Sequence, residues 1–308
     1  MHVAKLSLAV NLAFPRKRWC FPEEWAPIIK KDIGLNYFEF CSDLLDPLFF
    51  SPENVDRMAR RTREAVAAND LVMVDNYTGL VPHCFNLLSH PDDGMRADGM
   101  RWCEEFVRLS TKLGTKATGG HYDTIAAADH SDPKRYKAAI TRLIDSMRHL
   151  ASVAAAEGQE FILWEQMYTP AEAPYTLDQT KDIYERVNEG ADIPIYITVD
   201  VGHTACQNYP HSDADRDPYE WLRRFADISP VVHMQQTDGG GSHHWPFTPE
   251  YNKRGIIEPQ KVIDCIEESG SERNWIMFEI FHSLSVSEEQ IIDDLKRTVD
   301  YWRPYVAD

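Results

Sequence analysis

Four polar residues, Glu165, Asp200, His233 and Glu279, each close a short hydrophobic run in the C-terminal half of the chain, in FILWE, IYITVD, PVVH and WIMFE. A carboxylate left unpaired at the end of a buried strand costs several kcal/mol, so residues of these types in such places need partners. Three carboxylates and one imidazole gathered at one end of a sheet would repel each other unless a cation sat between them. The chemistry they could share is the holding of a divalent metal ion. One imidazole among carboxylate oxygens is a hard donor set: Mn2+ is the expected ion, and Mg2+, Co2+ and Zn2+ are compatible with it. His203 follows closely in Asp200-Val201-Gly202-His203, where the strand gives way to a loop. Its imidazole could reach a substrate oxygen or a second metal without joining the four ligands; the blander reading is a histidine satisfied by backbone.

Bringing four strand ends together requires strands that run the same way. Short apolar runs alternate with longer amphipathic stretches along the whole chain, and no low-complexity or Pro/Gly/Ser-rich linker divides it. That is the pattern of repeated βα units. Strands are expected at 4–12, 35–40, 71–76, 115–121, 160–166, 194–200, 230–236 and 275–280. Helices are expected at 52–68, 95–113, 133–157, 177–190, 217–227, 259–269 and 287–302, with a weaker one at 22–33 broken by Pro27. Ser51-Pro52 and Asp132-Pro133 each place a capping residue before a proline at the first helical position. The α/β alternation points to a closed (β/α)8 TIM barrel, a single domain over residues 1–308. Active sites of such barrels lie at the C-terminal ends of the strands, where all four polar residues fall.

A chain of 308 residues, 43% hydrophobic, can bury the core such a barrel needs. No run approaches the ~20 apolar residues of a membrane span. The opening MHVAKLSLAV moves into a strand-like run instead of a charged-then-apolar leader, so a cytoplasmic location is expected. The net charge of -17 argues against a nucleic-acid partner, which needs a basic surface, and against an anionic membrane. The cysteines Cys20, Cys41, Cys84, Cys103, Cys206 and Cys265 are scattered without a C-x-x-C pair and are expected to be free thiols.

The segments WEQMYTP around Glu165, TVDVGH around Asp200, VVHMQQTDG around His233 and FEI around Glu279 resemble the xylose isomerase-like superfamily of TIM barrels. Within it they are most similar to the sugar-phosphate isomerase/epimerase branch that includes the ketose 3-epimerases. The resemblance is detailed over strands five to eight and general over the first half; DVGH is its most specific piece. It implies that Glu165, Asp200, His233 and Glu279 are metal ligands and that the two glutamates double as catalytic acid and base. A ketose held through its carbonyl and adjacent hydroxyl would have its α C–H acidified by the ion, which also stabilises the enediolate. One glutamate removes the proton and the other returns one. Return on the opposite face epimerises; return to the neighbouring carbon interconverts ketose and aldose. The resemblance further implies a small carbohydrate substrate and a homo-oligomer, dimer or tetramer.

The chain departs from the ketose 3-epimerases after the strand-seven histidine, where they carry an arginine and this sequence reads Thr237-Asp238-Gly239-Gly240-Gly241-Ser242-His243-His244. Other cations could take the head group. Arg16, Lys17 and Arg18 follow the first strand and suit a phosphate or carboxylate, with a solvated loop as the bland alternative; Arg254 is a weaker candidate. His121, at the end of strand four, is a candidate substrate residue. Glu39 and Asp75-Asn76, ending strands two and three, could order the pocket. Trp245 is expected to wall a sugar face, as Trp19, Tyr168, Phe247 and Phe281 could. Three alternatives stand beside the isomerase reading. A 3-oxo sugar acid bound in the same way could lose carbon dioxide. An apurinic endonuclease would need further histidine and aspartate ligands and a basic surface. A non-catalytic sugar-binding barrel would not need two glutamates.

Overall fold

The expected alternation is realised as eight strands that close, in chain order, into a barrel. The computed structural model describes residues 4–205 and 209–306. The strands are β1 (Lys5–Asn11), β2 (Tyr37–Cys41), β3 (Val72–Tyr77), β4 (Ala117–Gly119), β5 (Phe161–Glu165), β6 (Ile195–Asp200), β7 (Val231–Met234) and β8 (Arg273–Phe278). Helices Pro52–Ala68, Asp93–Leu113, Pro133–Ala156, Leu177–Asn188, Pro218–Phe225, Pro259–Ser269 and Glu288–Trp302 lie between and after them. The Asp132 carboxylate accepts from the amides of Lys134 and Arg135 at 2.8 and 3.0 Å, the cap expected before Pro133.

Two local differences have physical causes. The segment after Pro22 does not break at Pro27; an α-helix Pro22–Pro27 passes directly into a π-helical turn Ile28–Ile33 that ends at left-handed Gly34. Proline lacks an amide hydrogen, so the backbone continues with a different bonding pattern in place of stopping. The fourth strand shrinks to three residues. Its glycines are a packing requirement: a Cβ on Gly119 would lie 2.8 Å from the Tyr77 ring, and one on Gly120, at φ +139°, only 2.1 Å from the Thr78 hydroxyl.

Contacts concentrate in two sets of segments. One set comprises residues up to Phe40, Arg61–Val74 and the chain from Thr198 onward. Its core includes Trp302 packed against Phe247 and Phe278, with ring centroids 5.3 and 5.9 Å away. Phe247, a candidate sugar wall by sequence, is thus a core residue, only 1% exposed. The other set, Cys41–Arg60 and Asp75–Ile197, is built on Trp102, Phe106, Leu143, Met147, Ile162 and Trp164. Asn76 donates to the Ser110 hydroxyl at 3.0 Å and so ties its strand to helix Asp93–Leu113. Cys20, Cys41, Cys84, Cys103 and Cys265 are free thiols; Cys206 lies outside the described residues. No helix among the described residues is long and apolar enough to cross a membrane.

Candidate metal centre

Strand register levels two of the four polar residues, since Asp200 pairs directly with His233 across β6 and β7. Across β7 and β8 His233 pairs with Met277, so Glu279 lies two residues further along, just past the end of β8. The Glu279 amide donates to the Met234 carbonyl at 3.1 Å. Glu165 ends β5. Each of Glu165, Asp200, His233 and Glu279 offers a ligand atom, and all these atoms lie within 4.8 Å of one another. Asp200 and His233 are fully buried, and Glu165 and Glu279 nearly so. Burying three carboxylates together is costly without positive charge between them. A hard divalent ion fits this donor set.

The imidazole is held in one orientation. His233 Nδ1 lies 3.3 Å from Glu279 Oε2 and 4.0 Å from Asp200 Oδ2. Its other nitrogen, Nε2, meets the two Glu39 oxygens at 3.0 and 3.2 Å. Asn11 donates its amide to the same Glu39 carboxylate and accepts the Ala13 amide at 2.7 Å. With Nε2–H donated to Glu39, the Nδ1 lone pair is left for an ion. Glu39 therefore orders the site from β2 without belonging to the converging group of four. Glu39→Gln is expected to weaken metal affinity by about 10–100-fold, measured by competition with a chelating dye; an unchanged affinity would remove Glu39 from this role.

Asp200 is fixed as firmly. Its Oδ1 accepts the Gly202 amide at 2.6 Å and the Gln235 side-chain amide at 3.0 Å. A Cβ on Gly202 would stand 2.2 Å from Gln235 Cδ, so the glycine in DVGH is what lets Gln235 reach Asp200. Gln235 Oε1 accepts the His244 backbone amide at 2.5 Å. The His244 ring places Nδ1 3.1 Å from the Glu279 carbonyl and 3.4 Å from its Oε2, and stacks on Phe281 at 4.0 Å. The Arg16 guanidinium also lies over Phe281, 4.7 Å from the ring centre.

Electrostatics follow from this crowding. Burial works to raise the Glu279 carboxyl, but His233, His244 and His203 overcome it and hold it well below the usual range. Burial lowers the His244 imidazole, against the opposing pull of Glu279 and Asp200.

Of the other candidate residues, His203 is buried with Nε2 4.0 Å from Asp200 Oδ2. Arg18 forms an ion pair with Glu288 at 2.9 Å and donates to the Ser283 carbonyl at 2.8 Å. Trp245 stacks on His243 at 4.0 Å and carries the Arg254 guanidinium 4.0 Å above its ring. His121 falls in a different group, beside His83 and Glu172. The sequence reading missed Gln235 and Asn11. Gln235 had a usable signal: two residues beyond His233 on an extended segment, it shares that residue's side. Asn11 closes the apolar run of β1, but its partner Glu39 is 28 residues away and no local pattern pairs them.

Comparison with known proteins places these features in context. A model of the xylose isomerase-like TIM barrel family matches residues 29–303. The D-erythrulose 1-phosphate 3-epimerase of Brucella abortus (strain 2308) is 25% identical over 305 residues, covering 98% of this chain and 96% of the relative. A solved barrel from Rhodospirillum rubrum ATCC 11170 superposes with a TM-score of 0.88 at 24% identity, covering 96% of this chain and 98% of its own. D-psicose 3-epimerase from Clostridium cellulolyticum H10, solved with D-tagatose, gives a TM-score of 0.74 at 15% identity, covering 98% of this chain and all of its own.

Proposed function

The chain belongs to the xylose isomerase-like TIM barrel family, and from that premise we propose that it is a divalent-metal-dependent epimerase or isomerase of a small ketose or ketose phosphate. The observation that carries this reading is the convergence of Glu165, Asp200, His233 and Glu279 within 4.8 Å. The ion we assign is Mn2+, for the oxygen-rich donor set. When bound, such an ion supplies Lewis-acid polarisation of a carbonyl and compensates the charge that develops beside it.

Glu165 and Glu279 take the proton-transfer roles. Glu279 is held ionised by its histidine neighbours, the form a base needs. His244 and Gln235 keep it and Asp200 in place. His203 is assigned to substrate hydroxyls and Trp245 to a sugar face. Arg16 is assigned to an anionic end, which fits the ketose 1-phosphate named in the relative from Brucella abortus; Arg18, bonded to Glu288, steadies that loop. A homo-oligomer, which rests on the resemblance, and a cytoplasmic location, expected from the sequence, belong to the same proposal.

The test is incubation of the Mn2+-loaded enzyme in D2O with tetruloses, pentuloses and hexuloses, their 1-phosphates and 3-oxo sugar acids, then proton NMR after chelation. Deuterium is expected beside the carbonyl with the carbon count unchanged, and its position separates epimerisation from isomerisation. A product shorter by one carbon, with carbon dioxide released, would instead establish decarboxylation. No exchange with any compound would overturn the ketose reading.

A further inference from the structure

The described residues hold a second group of converging ligands: His83, His121 and Glu172. We propose that these three side chains form a separate binding site for a nitrogen-preferring divalent ion such as Zn2+ or Co2+. His83 Nδ1 lies 2.8 Å and His121 Nε2 3.8 Å from the same Glu172 oxygen, and one ligand atom from each residue falls within 4.8 Å of the others. Ligand atoms around one such ion stand about 2.9–3.4 Å apart, given metal–ligand bonds of about 2.0–2.1 Å. The two distances to the Glu172 oxygen bracket that range. The rings of His83 and His121 stack at 4.8 Å between centroids, so both present nitrogens to the carboxylate from neighbouring positions.

The site is built from three segments fastened to one another. The Thr78 hydroxyl donates to the His121 carbonyl at 2.9 Å, which fixes the chain just past β4. The Thr124 hydroxyl donates to the Pro82 carbonyl at 2.7 Å, and so anchors the short helix Val81–Cys84 that carries His83. The Ile125 amide donates to the Ala171 carbonyl at 2.7 Å, next to Glu172. Neighbouring β4 and β5 also link this region to the first site, since the Glu165 amide donates to the Gly120 carbonyl at 3.0 Å.

Accessibility is graded in the way an exchangeable ion needs. The His121 side chain is 1% exposed, that of Glu172 11% and that of His83 31%. Three protein ligands with one open side leave a coordination position for water or a substrate oxygen. Two imidazoles and one carboxylate are also softer than one imidazole and three carboxylates, so the two sites should prefer different ions. The reading does not depend on the ketose proposal.

Metal-stripped protein would be dialysed against excess Co2+, and bound cobalt counted by mass spectrometry together with its visible ligand-field absorption. Two ions per chain are expected in the wild type, and one in each of His83→Ala and Glu172→Gln. Asp200→Asn/His233→Ala should keep the triad's ion and its absorption even if the ketose reading fails. Glutamine at 172 preserves size and polarity, and a melting curve for each variant separates lost ligands from lost fold. One ion in the wild type with His83→Ala and Glu172→Gln unchanged would overturn the proposal, as would two ions in every triad variant. The group would then be a hydrogen-bonded cluster only.

Discussion

Glu279→Gln is expected to lower turnover by about two to four decades, the usual contribution of a positioned general acid or base. Glutamine keeps the size of the side chain and one carbonyl oxygen but cannot take up a proton. The wild-type carboxylate is kept ionised despite its burial, because His233, His244 and His203 surround it. The same loss is expected for Glu165→Gln at the end of β5. Steady-state kinetics at saturating metal, with bound metal counted in parallel, make the check. A fall in kcat and kcat/KM together with metal retained marks an interaction made in the transition state. A near-normal rate in either variant would remove that glutamate from proton transfer.

Complete chelation is expected to abolish turnover and lower the melting temperature, with both restored by added Mn2+. The physical argument is that Glu165, Asp200 and Glu279 concentrate negative charge where water is excluded, and His233 alone does not balance it. An ion bound only by the folded state at 100 times its dissociation constant contributes about 2.7 kcal/mol of stability. For a chain of this size that corresponds to a rise of roughly 5 °C. Calorimetry on stripped and reloaded protein reads the stability, and the same samples give the activity. Turnover that survived complete metal removal would sink the metal-dependent mechanism.

The convergence of Glu165, Asp200, His233 and Glu279 was legible in the sequence because each terminates a run apolar enough to be a buried strand. A charged group in that position has few explanations, and parallel strands put their C-terminal ends on one side. Glu39 was legible only as a pocket residue; its bond to His233 spans most of the chain, and no local pattern encodes a contact of that range. The glycines of the fourth strand looked like a weakness in the barrel pattern. They are required because Tyr77 and Thr78 occupy the space where a Cβ would stand.

Strand count, barrel class and the four polar residues at the strand ends were thus determined by local pattern: hydrophobic periodicity and residue type survive without knowing what lies opposite. The tertiary structure alone decided which nitrogen of His233 meets Glu39, why Gly202 must lack a side chain, and that His121 lies beside His83 and Glu172. Those outcomes depend on side chains from separate segments competing for the same few ångströms, and that competition exists only once the barrel has closed.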